Sequence, residues 1–455
     1  MMVRPKVSHQ TKTKTKTKIP CQVSAFGYAD DTYACAQDGA SMAPKMQCTQ
    51  RWLQLTKQGV NPKKSVAYDT SGKEPEGSAL DGQQMPLQEE FRSLGAGIRT
   101  TKLAGSGTLI LGRIKDAVRT LGRVHGAQGG FARRAEVIAT LSMPAGLHAV
   151  ELADVADRDL ARLDSAVLKT LWGSSRPCRA KEAVMIFLCP GHRIFPSMIG
   201  DYLRLTWLAE RARVPGELQL LAQAVWEAGP TPRGPMGRAL RVAHRLGWTP
   251  TQGWWEWRVP MQQQPLSFLQ GSWGSLCHAI RDALRFAAAH RLAARRPRLF
   301  AGLGCGLNRD LVQGALRDLH ELDASLLRGV MAGAIWTARR AHARGLRVDA
   351  VCPYCATGAT EDEEHILWAC PRWDEARGAH LADLEASLPQ APVLGLRTDW
   401  PPCLRLCGLL LERDYPEEHR DAVQGVVECL HAMMLAVLRA RMRVDQQTPL
   451  LFGAR

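Results

Sequence analysis

The chain has 455 residues, 45% of them hydrophobic, and a formal net charge of +15 with a pI near 9.4. That length suits about two or three domains with cores of their own, and the basic balance fits a nucleic-acid binder or a plain basic protein. A polar, basic start argues against a secretory signal and the lack of any run of about 18 apolar residues against a membrane span, while thirteen cysteines in so long a chain suit a reducing, intracellular compartment.

Residues 1–22 include the Lys-Thr alternation from Lys12 to Lys18. This low-complexity run either binds phosphates or, on the plainer reading, forms a disordered basic tail. Val23–Phe26 and Thr32–Ala36 then read as short strands on either side of Tyr28-Ala29-Asp30-Asp31. A hairpin there holds two mutually repelling carboxylates at its tip, which favours a divalent cation such as Mg2+; the alternative is an ordinary solvated turn. Residues 42–58 read as a helix that stops at Gly59-Val60-Asn61-Pro62-Lys63-Lys64-Ser65, and Phe91-Arg92-Ser93-Leu94-Gly95-Ala96-Gly97-Ile98 reads as a strand.

These three segments resemble, in order and spacing, motifs of reverse transcriptases of the non-LTR (LINE-type) branch. Tyr28–Asp31 is similar to the aromatic-x-Asp-Asp metal hairpin, Gly59–Ser65 to the G-x-N-x-x-K-(S/T) segment behind the palm, and Phe91–Ile98 to the F-x-Y-L-G-x-x-I strand at the primer end. The resemblance implies that Asp30 and Asp31 ligate Mg2+ and that Lys64 stands where a basic residue approaches the triphosphate or pyrophosphate. It implies an RNA template, a DNA primer and, for a functional element, a nuclear location. It also calls for fingers and for a further Asp on an upstream strand, and residues 1–29 contain no Asp or Glu. The expectation is therefore the carboxy-terminal portion of an RNA-directed DNA polymerase, inactive alone, from a truncated element or a misplaced gene boundary.

Residues 108–141 carry apolar Ile110, Ile114, Val118 and Leu121 at helical spacing, with Arg113, Lys115, Arg119, Arg123, Arg133 and Arg134 between them. They read as a thumb-like basic surface touching duplex phosphates or as an ordinary solvated helix face. Met143–His148 and a helix from Asp157 to Leu171 ending at Trp172-Gly173 are similar to the LINE-type thumb turn and its "L-W-G" helix end, with His148 near the family's tyrosine and Val150 near its second glycine. Helical stretches follow at 197–213, 275–294 and 309–344, and Gly229–Pro235 reads as a domain boundary. The Trp248, Trp254, Trp255 and Trp257 group reads as a small core, with base stacking as its alternative.

A second chemical cluster is Cys352-Pro353-Tyr354-Cys355, His365 and Cys370. Three thiols and an imidazole, with no open position, suit structural Zn2+. The alternative is a pair of buried thiols beside a surface histidine. With the trailing Pro371-Arg372-Trp373 the segment also resembles the CCHC knuckle downstream of the LINE-type thumb. Glu361-Asp362-Glu363-Glu364 lies between the ligands and reads as a loop that repels a phosphate backbone, so the knuckle locks the local fold or holds a partner surface. The last helix, 416–443, is acidic at its start and basic at its end and reads as a packing helix or a dimer seam. No endonuclease cluster stands out.

The expected fold is α+β and predominantly helical. It comprises a basic tail (1–22), a partial palm (23–105), a thumb-like helical region (106–228), a helical connector with the tryptophans (229–345), a zinc knuckle (346–380) and a carboxy-terminal helical region (381–455). A non-catalytic nucleic-acid- or protein-binding module with a structural zinc site is the alternative function.

Overall fold

The computed structural model describes residues 25–447 apart from 29–30, 37, 62–64, 70–77, 81, 100–104, 127–128, 174–178, 189–193, 215, 228–233, 261, 306, 318 and 412–416. The molecule is predominantly helical, with small antiparallel sheets. The first pair, β1 (Ala25–Tyr28) and β2 (Asp31–Ala34), sets Tyr28 opposite Asp31. Helix α1 (Gly39–Thr56) starts earlier than its apolar pattern suggests, because Asp38 caps it by accepting the Ser41 amide at 2.8 Å. It ends on Lys57 in the left-handed region, φ 55°.

Strands β3 (Ala79–Leu80) and β4 (Gln83–Gln84) form one further ladder, and β5 (Glu90–Ser93) and β6 (Ala96–Arg99) another. The Phe91–Ile98 segment is thus a hairpin rather than the single strand expected. Leu94 and Gly95 turn it with φ of 48° and 80°, the positive values that tight primed turns need. Phe91 faces Ile98 across the ladder. This hairpin and the Tyr28–Asp31 hairpin belong to separate sheets.

Helix α2 (Thr108–Gly126) buries Ile110, Ile114, Ala117, Leu121 and Val124, a stripe one helix face wide. Glu90 on β5 supplies its cap, accepting the Thr108 amide at 2.6 Å and the Leu109 amide at 3.3 Å. The stretch read as continuous to residue 141 breaks around Gly126, Gly129 and Gly130, where helix propensity is lowest. It resumes as α3 (Phe131–Val137), a π-helical turn over Ile138–Ser142, and α4 (Met143–Leu147). Then come α5 (Asp157–Trp172), the short α6 (Lys181–Ala183), α7 (Pro196–Arg213), α8 (Glu217–Glu227) and α9 (Gly234–Arg245). The three-stranded sheet of β7 (Thr249–Gly253), β8 (Glu256–Arg258) and β9 (Leu266–Ser267) precedes α10 (Trp273–Arg295) and α11 (Pro297–Phe300).

The segment 309–344 is three helices rather than one: α12 (Arg309–Arg317), α13 (Glu321–Met331) and α14 (Ala338–His342). His320 and Thr337 cap the second and third, and Gly333, with φ 58°, turns the chain between them. Helices α15 (Asp374–Ser387), α16 (Pro402–Cys407) and α17 (Glu417–Gln447) are the last among the described residues.

Among the described residues, two apolar cores hold these elements. The larger runs from Ile110 on α2 through Leu163, Leu208, Leu240, Trp257, Leu292 and Leu327, so residues on both sides of the 229–235 segment share one interior. Trp248, Trp254 and Trp257 are fully buried in it; the Trp257 indole N–H donates to the Trp254 carbonyl and that of Trp254 to Gln223. They are core residues, and no stacking platform exists at these three. The smaller core gathers Val330, Ile366, Leu367, Trp373, Leu384, Trp400 and Leu404 around Val426, Leu430, Met433 and Val437 of α17. By length and composition α17 is apolar enough within Glu418–Asp445 to cross a membrane, but 56% of its 18-residue apolar stretch is buried in the molecule, and it packs as an interior helix.

Candidate metal centre

The Cys3His group forms on the edge of the smaller core. Its ligand atoms, one each from Cys352, Cys355, His365 and Cys370, all lie within 4.8 Å of one another. Cys352 Sγ is 3.9 Å from Cys370 Sγ, and Cys355 Sγ is 3.4 Å from His365 Nε2. Tetrahedral zinc with Zn–S of about 2.3 Å and Zn–N of about 2.0–2.1 Å sets its ligands roughly 3.5–3.8 Å apart. The four side chains therefore fit one such ion, and their soft donors are compatible with zinc.

Local backbone builds the site. Val351 bridges Thr360, and the Cys352 amide donates to the Ala359 carbonyl at 2.9 Å, which folds the Cys352–Cys355 turn back on itself. The amides of Tyr354 and Cys355 point at the Cys352 sulfur and that of Arg372 at the Cys370 sulfur. Such N–H donors stabilise thiolates. His365 and Cys370 are joined by a π-helical turn, His365–Ala369, closed by the Cys370 amide on the His365 carbonyl.

The thiols differ in acidity. At Cys355 the cost of burial is outweighed by hydrogen bonds from the Thr357 hydroxyl and amide and from His365 and Cys352, which bring it down to about 6. Burial, with the neighbouring Cys352 adding to it, pushes Cys370 up to about 12, and burial raises Cys352 as well. Cys355 is the most acidic of the three, and a cation binding here would displace the protons of the two buried thiols.

The acid run, expected as a loop that repels a phosphate backbone, is instead neutralised by arginines. Glu361 and Glu363 are buried, and five arginines from four helices meet the four acids. Arg441 of α17 pairs with Glu361 at 3.1 Å, Arg298 of α11 with Asp362 and Glu363 at 3.1 and 2.7 Å. Arg339 and Arg340 of α14 reach Asp362 and Glu363 at 3.5 and 2.6 Å, and Arg405 of α16 reaches Glu364 at 3.0 Å. Burial pushes the Glu361 carboxyl up, against the pull of Arg441. These arginines went unseen in the sequence, because nothing in it pairs residue 361 with residue 441. Tyr354 is the one partner with a local signal, by its place inside the Cys-x2-Cys turn.

Asp30 and Lys64 lie outside the described residues. Asp31 begins β2 opposite Tyr28, and its side chain too is outside them. Among the described residues the Cys3His group is the only cluster of three or more His, Cys, Asp or Glu side chains close enough to share an ion.

Of the cations read as a basic surface, Arg113 donates to the His148 carbonyl at 3.1 Å and Arg134 to the last carbonyls of α5. Arg119 and Arg133 pair with Asp116 and Glu136 in exposed contacts. Lys115 and Arg123 are exposed on α2. His148 instead packs on the Leu94–Gly95 turn, its Nε2 3.4 Å from the Leu94 carbonyl.

What the fold and site define is a mainly helical protein with a Cys3His group able to hold a metal ion. No family model and no curated protein matches the sequence.

Proposed function

We propose that this chain derives from a LINE-type RNA-directed DNA polymerase, its basic helical surface binding nucleic acid and its Cys3His group holding structural zinc. The observation that carries the polymerase ancestry is the antiparallel register of β1 and β2. It pairs Tyr28 with Asp31 and brackets Ala29–Asp30, as an aromatic-x-Asp-Asp hairpin requires. In an intact polymerase Asp30 and Asp31 would hold Mg2+ and Lys64 would face the triphosphate. RNA is the expected partner, through Lys115, Arg123 and their neighbours, with a DNA primer joining it where a full polymerase is assembled.

A second reading, a non-catalytic module that binds nucleic acid or protein around a structural zinc site, is favoured by the closed Cys3His geometry. Primer extension with Mg2+, run beside RNA binding, tests whether catalysis accompanies binding. Incorporation abolished by Asp30→Asn supports a working polymerase; salt-sensitive RNA binding without incorporation supports the module. Absence of both overturns the nucleic-acid role.

A further inference from the structure

We propose that metal occupancy of the Cys3His centre decides whether the last two turns of α17 stay docked, with Tyr354 and Glu361 as the linking residues. The proposal rests on that centre taking zinc. Tyr354 sits inside the Cys352–Cys355 turn, and its hydroxyl donates to Asp445 at 2.5 Å. Its ring lies 5.2 Å from that of Trp373 and carries the Arg441 guanidinium at 5.3 Å. Glu361, four residues before His365, accepts the Ala338 amide at 2.5 Å and pairs with Arg441 at 3.1 Å. Arg441 completes its shell on the Trp336 carbonyl at 2.8 Å. Tyr354 inside the first metal-bearing turn and Glu361 in the loop leading to the second thus grip the same short stretch of α17.

The rest of α17 is held differently. From Val423 to Leu438 it is anchored by apolar side chains in the smaller core, which takes in Leu384, Trp400 and Leu404 outside the metal-bearing turns alongside Cys352, Ile366, Leu367 and Cys370 within them. Past Leu438 the apolar contacts thin to the partly buried Ala440 and Val444, and polar anchors join them: Arg439 on Asp323 of α13, then Arg441 and Asp445 on the knuckle. A buried ion pair is stable only while both partners stay in place, since either one alone is an uncompensated charge. Without the ion, few backbone bonds hold the Cys352–Cys355 turn against the His365–Cys370 turn. As the loop between them loosens, Glu361 and Tyr354 leave Arg441 and Asp445, and the helix end hydrates. The Arg439–Asp323 pair, independent of the knuckle, marks where the release stops.

Hydrogen exchange read by mass spectrometry on the full chain, zinc-loaded and chelator-treated with metal content measured in parallel, tests this. Amides of Arg441–Asp445 are expected to exchange at least about tenfold faster once zinc is removed, while those of Val426–Val437 change by less than about twofold. Tyr354→Phe with zinc retained is expected to speed exchange in the same terminal segment. If zinc binds and is removed with no change at Arg441–Asp445, if Val426–Val437 opens equally, or if Tyr354→Phe changes nothing there, the proposal is overturned. A chain that binds no zinc overturns the metal reading itself, and the proposal with it.

Discussion

The amide of Cys370 donates to the carbonyl of His365 at 2.6 Å, closing an i to i+5 ring. In an α-helix each residue turns the chain by about 100°, so two residues five apart point roughly 140° away from each other. The wider π-turn brings them back to one side. His365 and Cys370 can share an ion because these five residues abandon α-helical geometry.

The centre is expected to bind about one zinc per chain. Cys370→Ser removes a ligand and should weaken zinc binding by at least about a hundredfold in a competition titration with a chromophoric chelator. Affinity should also fall as the pH drops from about 8 to about 6, because protons compete for the ligands. Full affinity in the Cys370→Ser chain would remove Cys370 from the ligand set.

Arg441 and Glu361 have side chains only 7% and 0% exposed, so each single replacement strands a buried charge. Glu361→Leu or Arg441→Leu alone should cost about 3–5 kcal/mol in urea unfolding, and the double replacement should recover much of that loss. Simple additivity of the two losses would mean that the residues are not coupled.

His431 is buried, with Nε2 on the Gly408 carbonyl at 2.8 Å, while its Nδ1 finds no hydrogen-bond partner among the described residues. Burial outweighs that bond and the pull of Glu428, and lowers its pKa. The unfolded chain therefore takes up a proton before the folded one does. The stability owed to neutral His431 is complete above about pH 6.5 and is lost as pH falls below it. His431→Gln, which keeps a donor for Gly408, should flatten the acid side of a plot of urea midpoint against pH. An unchanged slope would show that other groups set it.

Lys115 and Arg123 point to solvent from α2, whereas Arg134 caps α5. The double replacement Lys115→Ala/Arg123→Ala should weaken RNA binding and reduce the slope of log affinity against log salt by roughly 1–2, with little change in stability. Arg134→Ala should instead lower the unfolding midpoint. A salt slope unmoved by the double replacement would place the RNA contacts elsewhere.

Local sequence determined a good deal. The stripe of Ile110, Ile114 and Leu121 marks α2, and the strand-like flanks of Tyr28–Asp31 match β1 and β2. The Cys-x2-Cys, His and Cys spacing picked out the four side chains that meet. These signals are legible because they depend on neighbours a few residues apart. Tertiary structure alone decided that Leu94-Gly95 turns a strand into a hairpin, that residues on either side of the 229–235 segment share a core, and that the Glu361–Glu364 run is buried under arginines. A run of acids reads as solvated surface until the chain returns, some eighty residues later, with Arg441. Burial and charge pairing depend on which distant residues are folded together, and no local pattern encodes that.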